Sequence, residues 1–130
     1  VGPPDRIVAL SAFWVGLLYD QTSLDAVWDL VKEWSAEDRE TLRTDVATQG
    51  LAAVVRGRNL REIARDAVDL SRHGLARRAR LDPAGRDESI YLEPLHRIVD
   101  SGRVPAQDLL DLYHGRWRGS VLPAFEECVF

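Results

Sequence analysis

Methionine is absent from this 130-residue chain, and cysteine occurs once, as Cys128. A single thiol excludes an internal disulfide and a cysteine-built metal cluster. It fits a reducing compartment, with the cytosol as the expectation. A chain that begins at Val1 without methionine reads as a processed, trimmed or excised piece, or as an incomplete sequence. Lysine is nearly missing as well: Lys32 stands against sixteen arginines, a ratio that reads as codon bias in a GC-rich genome. No apolar run reaches the about 20 residues that a membrane-spanning helix needs. Residues 1–11 lack the basic start and apolar stretch of a signal peptide. Period-two alternation of β-branched residues is absent too, apart from a faint hint at residues 53–55, so no sheet is expected.

Helical punctuation is plentiful instead. Thr22 or Ser23 is placed to cap a helix whose Leu24, Val27, Trp28, Val31 and Trp34 share one face. Ser35-Ala-Glu-Asp38 has the form of a capping box, with Leu42 and Val46 expected inward and Gly50 as the stop. Asn59-Leu-Arg-Glu62 opens the longest helix, to about residue 79. Leu60, Ile63, Ala64, Ala67, Leu70 and Leu75 form its apolar side. Gly74 interrupts it, at a cost of about 1 kcal/mol relative to Ala. Asp82-Pro-Ala-Gly-Arg-Asp87 reads as a loop. Pro94 and Pro105 suit first helical positions, where a missing N–H costs nothing. Gly102 and Gly115 suit C-terminal caps. The pattern predicts an all-α fold for residues 1–130: one compact bundle of six or seven short-to-medium helices with an irregular, glycine-containing C-terminal tail. No internal repeat is visible.

The segment A-F-W-V-G-L-L-Y-D (12–20) is too short to span a membrane. It is apolar on nearly every face and is therefore expected to be buried on all sides.

Charge is banded. Residues 1–49 carry a net −5, residues 50–86 a net +5 and residues 87–130 a net −4, for −4 overall. Within the basic band, Arg56-Gly-Arg58-Asn59 is the best local candidate for a binding site. Two guanidinium forks beside a helix start would favour a phosphate or carboxylate. The competing reading pairs these arginines with acids of the neighbouring bands. Arg65, Arg72, Arg77, Arg78 and Arg80 extend the band, yet the chain is acidic and no aromatics are interleaved for stacking, so nucleic acid is not expected as a partner. His73, His96 and His114 lack metal-ligand spacing, so no metal site is expected. Cys128 with His114 offers no nucleophilic arrangement. The acid pairs Asp108/Asp111 and Glu126/Glu127 read as solvated faces. Trp14, Trp28, Trp34 and Trp117 read as core or interface anchors. Trp117, set between Arg116 and Arg118 in a glycine turn, is a candidate docking contact along with Phe13 and Trp14.

Seven blocks occur in an order that resembles the C-terminal helical region of glutamate–cysteine ligases of the plant and proteobacterial type. They are F-W-V-G-L-L-Y-D (13–20), A-V-W-D-L-V-K-E-W-S-A-E-D-R (26–39), V-R-G-R-N-L-R-E-I-A-R-D (55–66), Y-L-E-P-L-H-R-I-V (91–99), G-R-V-P-A-Q-D-L-L (102–110), Y-H-G-R-W-R-G-S-V (113–121) and P-A-F-E-E (123–127). Two positions depart from the family's pattern: Ser11 stands where proline is usual, and Leu122 where an acid is usual.

The resemblance implies an enzyme that joins the γ-carboxylate of glutamate to the amine of cysteine. It uses ATP and Mg²⁺, on the way to glutathione or ergothioneine. It also implies that the metal carboxylates and nucleotide contacts lie on a curved sheet absent from this chain. No catalytic residue is therefore expected here, and ATP and Mg²⁺ belong to the intact ligase. The expected partner is the catalytic half, in the same or a separate chain. The alternative is a free-standing, ligase-derived helical module that acts by binding. Full enclosure of residues 13–20 by the chain's own helices would favour that alternative.

Overall fold

The computed structural model of the chain describes residues 4–127. These form seven α-helices: α1 (Pro4–Leu18), α2 (Gln21–Val31), α3 (Ala36–Gln49), α4 (Leu60–Arg78), α5 (Glu93–Ser101), α6 (Pro105–His114) and α7 (Leu122–Glu127). Short 3₁₀ turns occupy Gly50–Ala52 and Glu88–Leu92. The expected all-α bundle is present, with one addition. Strands β1 (Val54–Val55) and β2 (Arg58–Asn59) pair antiparallel as a minimal hairpin, with Val54 opposite Asn59 and Val55 opposite Arg58.

The hairpin explains the faint strand hint. Its two turn residues, Arg56 and Gly57, have φ of 49° and 77°. Positive φ at both central positions matches the twist of a tight hairpin. Asn59 then ends the hairpin and caps α4, its Oδ1 accepting from the Arg61 N–H at 2.8 Å.

Helix α4 is the axis of the molecule. It packs against α1, α2, α5 and the Glu88–Leu92 turn. The core gathers Ala12, Leu75 and Leu92, with Phe13, Val15 and Leu95 packed onto it. Leu75 and Leu92 are fully buried, each contributing about 1.5–3 kcal/mol relative to exposure. The buried face of α4 is Ile63, Val68, Ser71, Gly74 and Leu75.

That face shows why Gly74 is there. A Cβ on Gly74 would stand 1.9 Å from the Gly16 carbonyl oxygen, and one on Gly16 would stand 2.3 Å from the Ser71 carbonyl oxygen. Helices α1 and α4 therefore cross with their backbones in contact. Two hydroxyls pin α4 to its neighbours: Ser71 Oγ donates to the Phe13 carbonyl of α1 at 2.9 Å, and Ser23 Oγ of α2 donates to the Leu70 carbonyl at 2.8 Å. Both serines are fully buried. Gly74 is less an interruption of α4 than the condition for seating α1 on it.

The same commitment moves the start of α2. Ser23 commits its hydroxyl to α4, and Asp20 caps the helix by accepting from the Ser23 N–H at 2.8 Å. At this break the chain turns by 96° between α1 and α2.

Full burial of residues 12–20 is the expectation that fails. Ala9, Ala12, Gly16 and Leu17 are buried on α1, and Phe13 is half-buried. Trp14 is 51% exposed, Leu18 53% and Tyr19 77%. The reason is the crossing itself. Contact between backbones at Gly16 and Gly74 needs small residues on one side of α1, which sends its large side chains to the other.

Other elements stand away from the core. Helix α3 has no buried residue and rests on the 3₁₀ turn and β1. Val46, expected inward, is exposed, while Leu42 is half-buried. The capping box at Ser35 is complete: its Oγ accepts from the Asp38 N–H at 3.0 Å, and Asp38 Oδ2 from the Ser35 N–H at 2.9 Å. Helices α6 and α7 likewise have no buried residue. Among the described residues, no single helix is long and apolar enough to cross a membrane.

Candidate functional site

The hairpin delivers Arg56, Arg58 and Asn59 to the N-terminal end of α4, as a site for an anion would require. Each arginine already has an acidic neighbour. Arg56 Nη1 lies 3.4 Å from Asp38 Oδ2, and Arg58 Nη2 lies 2.9 Å from Asp66 Oδ2. The Ser35 N–H, followed by Arg56, holds the Asp38 carboxyl below the usual carboxylate range. Both arginine side chains are about half exposed, and exposed pairs of this kind are worth about 0–1 kcal/mol. Such pairs exchange for a stronger ligand at little cost.

Pairing between bands recurs, although Arg58, Arg72 and Arg86 pair with acids of their own band. Arg77 forks onto Asp20, Nε to Oδ1 at 3.0 Å and Nη2 to Oδ2 at 2.6 Å, and Nη2 also donates to Ser23 Oγ at 2.9 Å. Arg77 and the Ser23 N–H pull the Asp20 carboxyl far below its ordinary value. Arg78 Nη1 lies 3.2 Å from Glu88 Oε2, and its guanidinium sits over the Tyr19 ring. Arg65 reaches Asp100 at 3.6 Å. The basic band is thus α4 with its two approaches, held between acids from α2–α3 on one side and the Glu88–Leu92 turn and α5 on the other.

Three arginines have defined structural tasks, Arg77 of the basic band and two outside the candidate motifs. Arg61 donates from Nε to the Val99 carbonyl at 2.6 Å and from Nη2 to the Asp100 carbonyl. It closes the C-terminal end of α5, where free carbonyls and the helix dipole favour a cation. Gly102, at φ 73°, leaves room for that guanidinium. Arg77 fastens the α1–α2 turn to α4. Arg103 bridges Asp108 at 2.9 Å and Asp111 at 2.6 Å. The two acids, Asp111 first, raise its pKa further. None of these contacts leaves a local sequence signal, because each joins residues distant in the chain or in a loop.

Trp117 does not serve as a free docking contact. It is 6% exposed. Its N–H donates to the Leu112 carbonyl at 2.8 Å and its indole Nε1 to Glu127 Oε2 at 3.2 Å. The turn thus buries the ring, its backbone tied to α6 and its indole N–H to α7. Arg116 reaches the same Glu127 oxygen. Phe13 and Trp14 stay together, their rings edge-to-face at 5.3 Å, with Phe13 turned toward the core and Trp14 toward solvent.

Among the described residues no three His, Cys, Asp or Glu side chains are grouped to hold a metal ion. The acid pair Asp108/Asp111 is bound to Arg103 and does not suit Mg²⁺. Cys128 lies outside the described residues.

The sequence as a whole matches the description Glutamate-cysteine ligase family 2 (GCS2) over residues 1–127. The chain belongs to that family. It is 45% identical over 129 residues to the chloroplastic glutamate–cysteine ligase of Nicotiana tabacum, 43% to that of Solanum lycopersicum and 42% to that of Arabidopsis thaliana. Each alignment covers 99% of this chain and 24% of the plant protein. This member of the ligase family therefore spans about a quarter of the length of the curated relatives it matches.

Proposed function

We propose that this chain is the helical part of an ATP-dependent glutamate–cysteine ligase and that it works together with a catalytic remainder. The observation that carries this reading is identity of 40–45% along 99% of the chain to proteins named glutamate–cysteine ligase. In the reaction implied by the family, the γ-carboxylate of glutamate is activated by phosphorylation, and the amine of cysteine displaces phosphate. The activating chemistry is assigned to the remainder, where the family resemblance places the metal carboxylates and nucleotide contacts. The helical part supplies a rigid body centred on α4. Arg56 and Arg58 are its candidates for contact with an anionic ligand, since both guanidinium groups remain about half exposed.

The free-standing module is the weaker reading. Residues 13–20 are not enclosed by the chain's own helices, and identity to ligases is continuous along its length. Cytosolic placement rests on the single thiol alone; the plant relatives are by name chloroplast proteins.

Assay of the purified chain with glutamate, cysteine and ATP tests the division of labour. We expect no γ-glutamylcysteine from the chain alone, and production once the polypeptide corresponding to the other three quarters of its relatives is present. Synthesis by the 130-residue chain itself would overturn the division, and no synthesis by the joined parts would overturn the ligase role.

A further inference from the structure

Four large apolar side chains on α1 point away from α4: Ile7, Leu10, Trp14 and Leu18, each exposed by about half (48%, 52%, 51% and 53%). Their spacing, i, i+3, i+7 and i+11, places them in one stripe along the helix. Burial of Ala9, Ala12 and Gly16 on the opposite side fixes its direction. The stripe contains no charge. An uncharged apolar stripe along a helix packed on the core is the kind of surface that marks an interaction site.

We infer that this stripe is the seat of the rest of the ligase polypeptide, which lays an apolar helix or sheet face along Ile7, Leu10, Trp14 and Leu18. The inference rests on the ligase reading above. The argument for this occupant is length: residues matching this chain make up 24% of the relatives, so about three quarters of a relative's polypeptide is available to cover the stripe. The α1 stripe is a better seat than the apolar surface near the C-terminal end. That surface, Leu109, Leu110, Val121, Leu122 and Phe125 on and beside α6 and α7, is interleaved with Asp108, Asp111, Glu126 and Glu127. It also lies on helices with no buried residue of their own. An apolar partner seated there would have to desolvate those carboxylates.

The test uses the 130-residue chain and, as a separate polypeptide, the part of the ligase that carries the other three quarters. Affinity is measured by titration, and γ-glutamylcysteine formation is followed in parallel. Leu10→Glu and Trp14→Glu are each expected to weaken association at least tenfold. Phe125→Glu should stay within twofold of the parent. All three sites are more than half exposed, so circular dichroism and urea midpoints of the isolated chain should be unchanged. If Leu10→Glu alters them, Leu18→Gln replaces it as the milder change on the same stripe, with a threefold or greater weakening expected.

Association of the parent chain combined with unchanged affinity of the stripe variants would overturn the seat and leave the ligase reading standing. Loss of a homodimer of the isolated chain in the stripe variants, seen by sedimentation, would overturn the assigned occupant in favour of a second copy. Neither association nor synthesis with the parent chain would overturn the ligase reading and the seat with it.

Discussion

Gly74 lies so close to Gly16 that a methyl group on Gly74 would stand 1.9 Å from the Gly16 carbonyl oxygen. The obstacle is backbone, which cannot swing aside as a side chain can. Gly74→Ala should gain about 1 kcal/mol of helix propensity and still lose stability. Overpacking costs about 1–3 kcal/mol, and separating α1 from α4 weakens the Ser71 hydroxyl bond to Phe13, worth about 1 kcal/mol. A net loss of about 2 kcal/mol is expected, read as a lower urea midpoint. A neutral or stabilising Gly74→Ala would show that α1 does not sit on α4 as described.

Ser71 reports the same crossing without steric conflict. Its hydroxyl, fully buried, donates to the Phe13 carbonyl at 2.9 Å. Ser71→Ala removes the donor and little volume, so stability should fall by about 1 kcal/mol. The signature beyond the midpoint is faster hydrogen exchange at the amides of α1 than at those of α5. Uniform exchange changes across both helices would contradict a local stitch.

Much of this arrangement is legible in the residues themselves. Ser35, Asn59, Gly50, Gly102 and the prolines act through neighbours one to four residues away, so their roles as caps and stops follow from local chemistry. Gly16 with Gly74, Ser23 with Leu70 and Ser71 with Phe13 are contacts across 47 to 58 residues, and a single sequence gives no sign of such partners. The run at residues 12–20 misleads for a related reason. Uniform apolarity is compatible with burial on all sides or with one buried side and one side awaiting a partner, and only the geometry of the crossing separates the two. In the candidate site, Arg56 and Arg58 could be found from their pattern beside a helix start. Their acids could not, since Asp38 belongs to a different helix and Asp66 lies two turns into α4. The turn that holds Arg56 was hidden because Arg-Gly is not among the usual signatures of a tight hairpin.

Arg56 allows a structural role to be separated from a ligand role. It occupies a turn position with φ 49°, where asparagine is better suited than arginine. Arg56→Asn should therefore keep or slightly raise the stability of the isolated chain. Gly57→Ala, at φ 77° with open space around its Cβ, should lower it by about 1–2 kcal/mol through backbone conformation alone. If Arg56 contacts an anionic substrate in the joined ligase, Arg56→Asn will raise KM for that substrate several-fold with the stability preserved. An unchanged KM would confine Arg56 to its turn and its pair with Asp38.

Asp20 ties the stability of the fold to acid pH. Its carboxylate accepts two bonds from Arg77 and one from the Ser23 N–H. Arg77 chiefly, then the Ser23 N–H, pull its pKa far below the ordinary value. A carboxyl whose folded pKa is depressed contributes stability above its unfolded pKa, about 4, and loses that contribution as pH falls below it toward the folded value. Unfolding midpoints in urea should thus be flat from neutral pH to about 4.5 and fall below about 4. Asp38, Asp82 and Asp87 are depressed in the same direction, so they share the slope. Asp20→Asn keeps a good helix cap and removes the titrating charge. At neutral pH this variant should be less stable than the parent. Below pH 4 the gap should narrow, because the parent is losing by protonation what the variant already lacks. Parallel pH profiles for the two proteins would show that the Asp20–Arg77 pair does not hold the α1–α2 turn to α4.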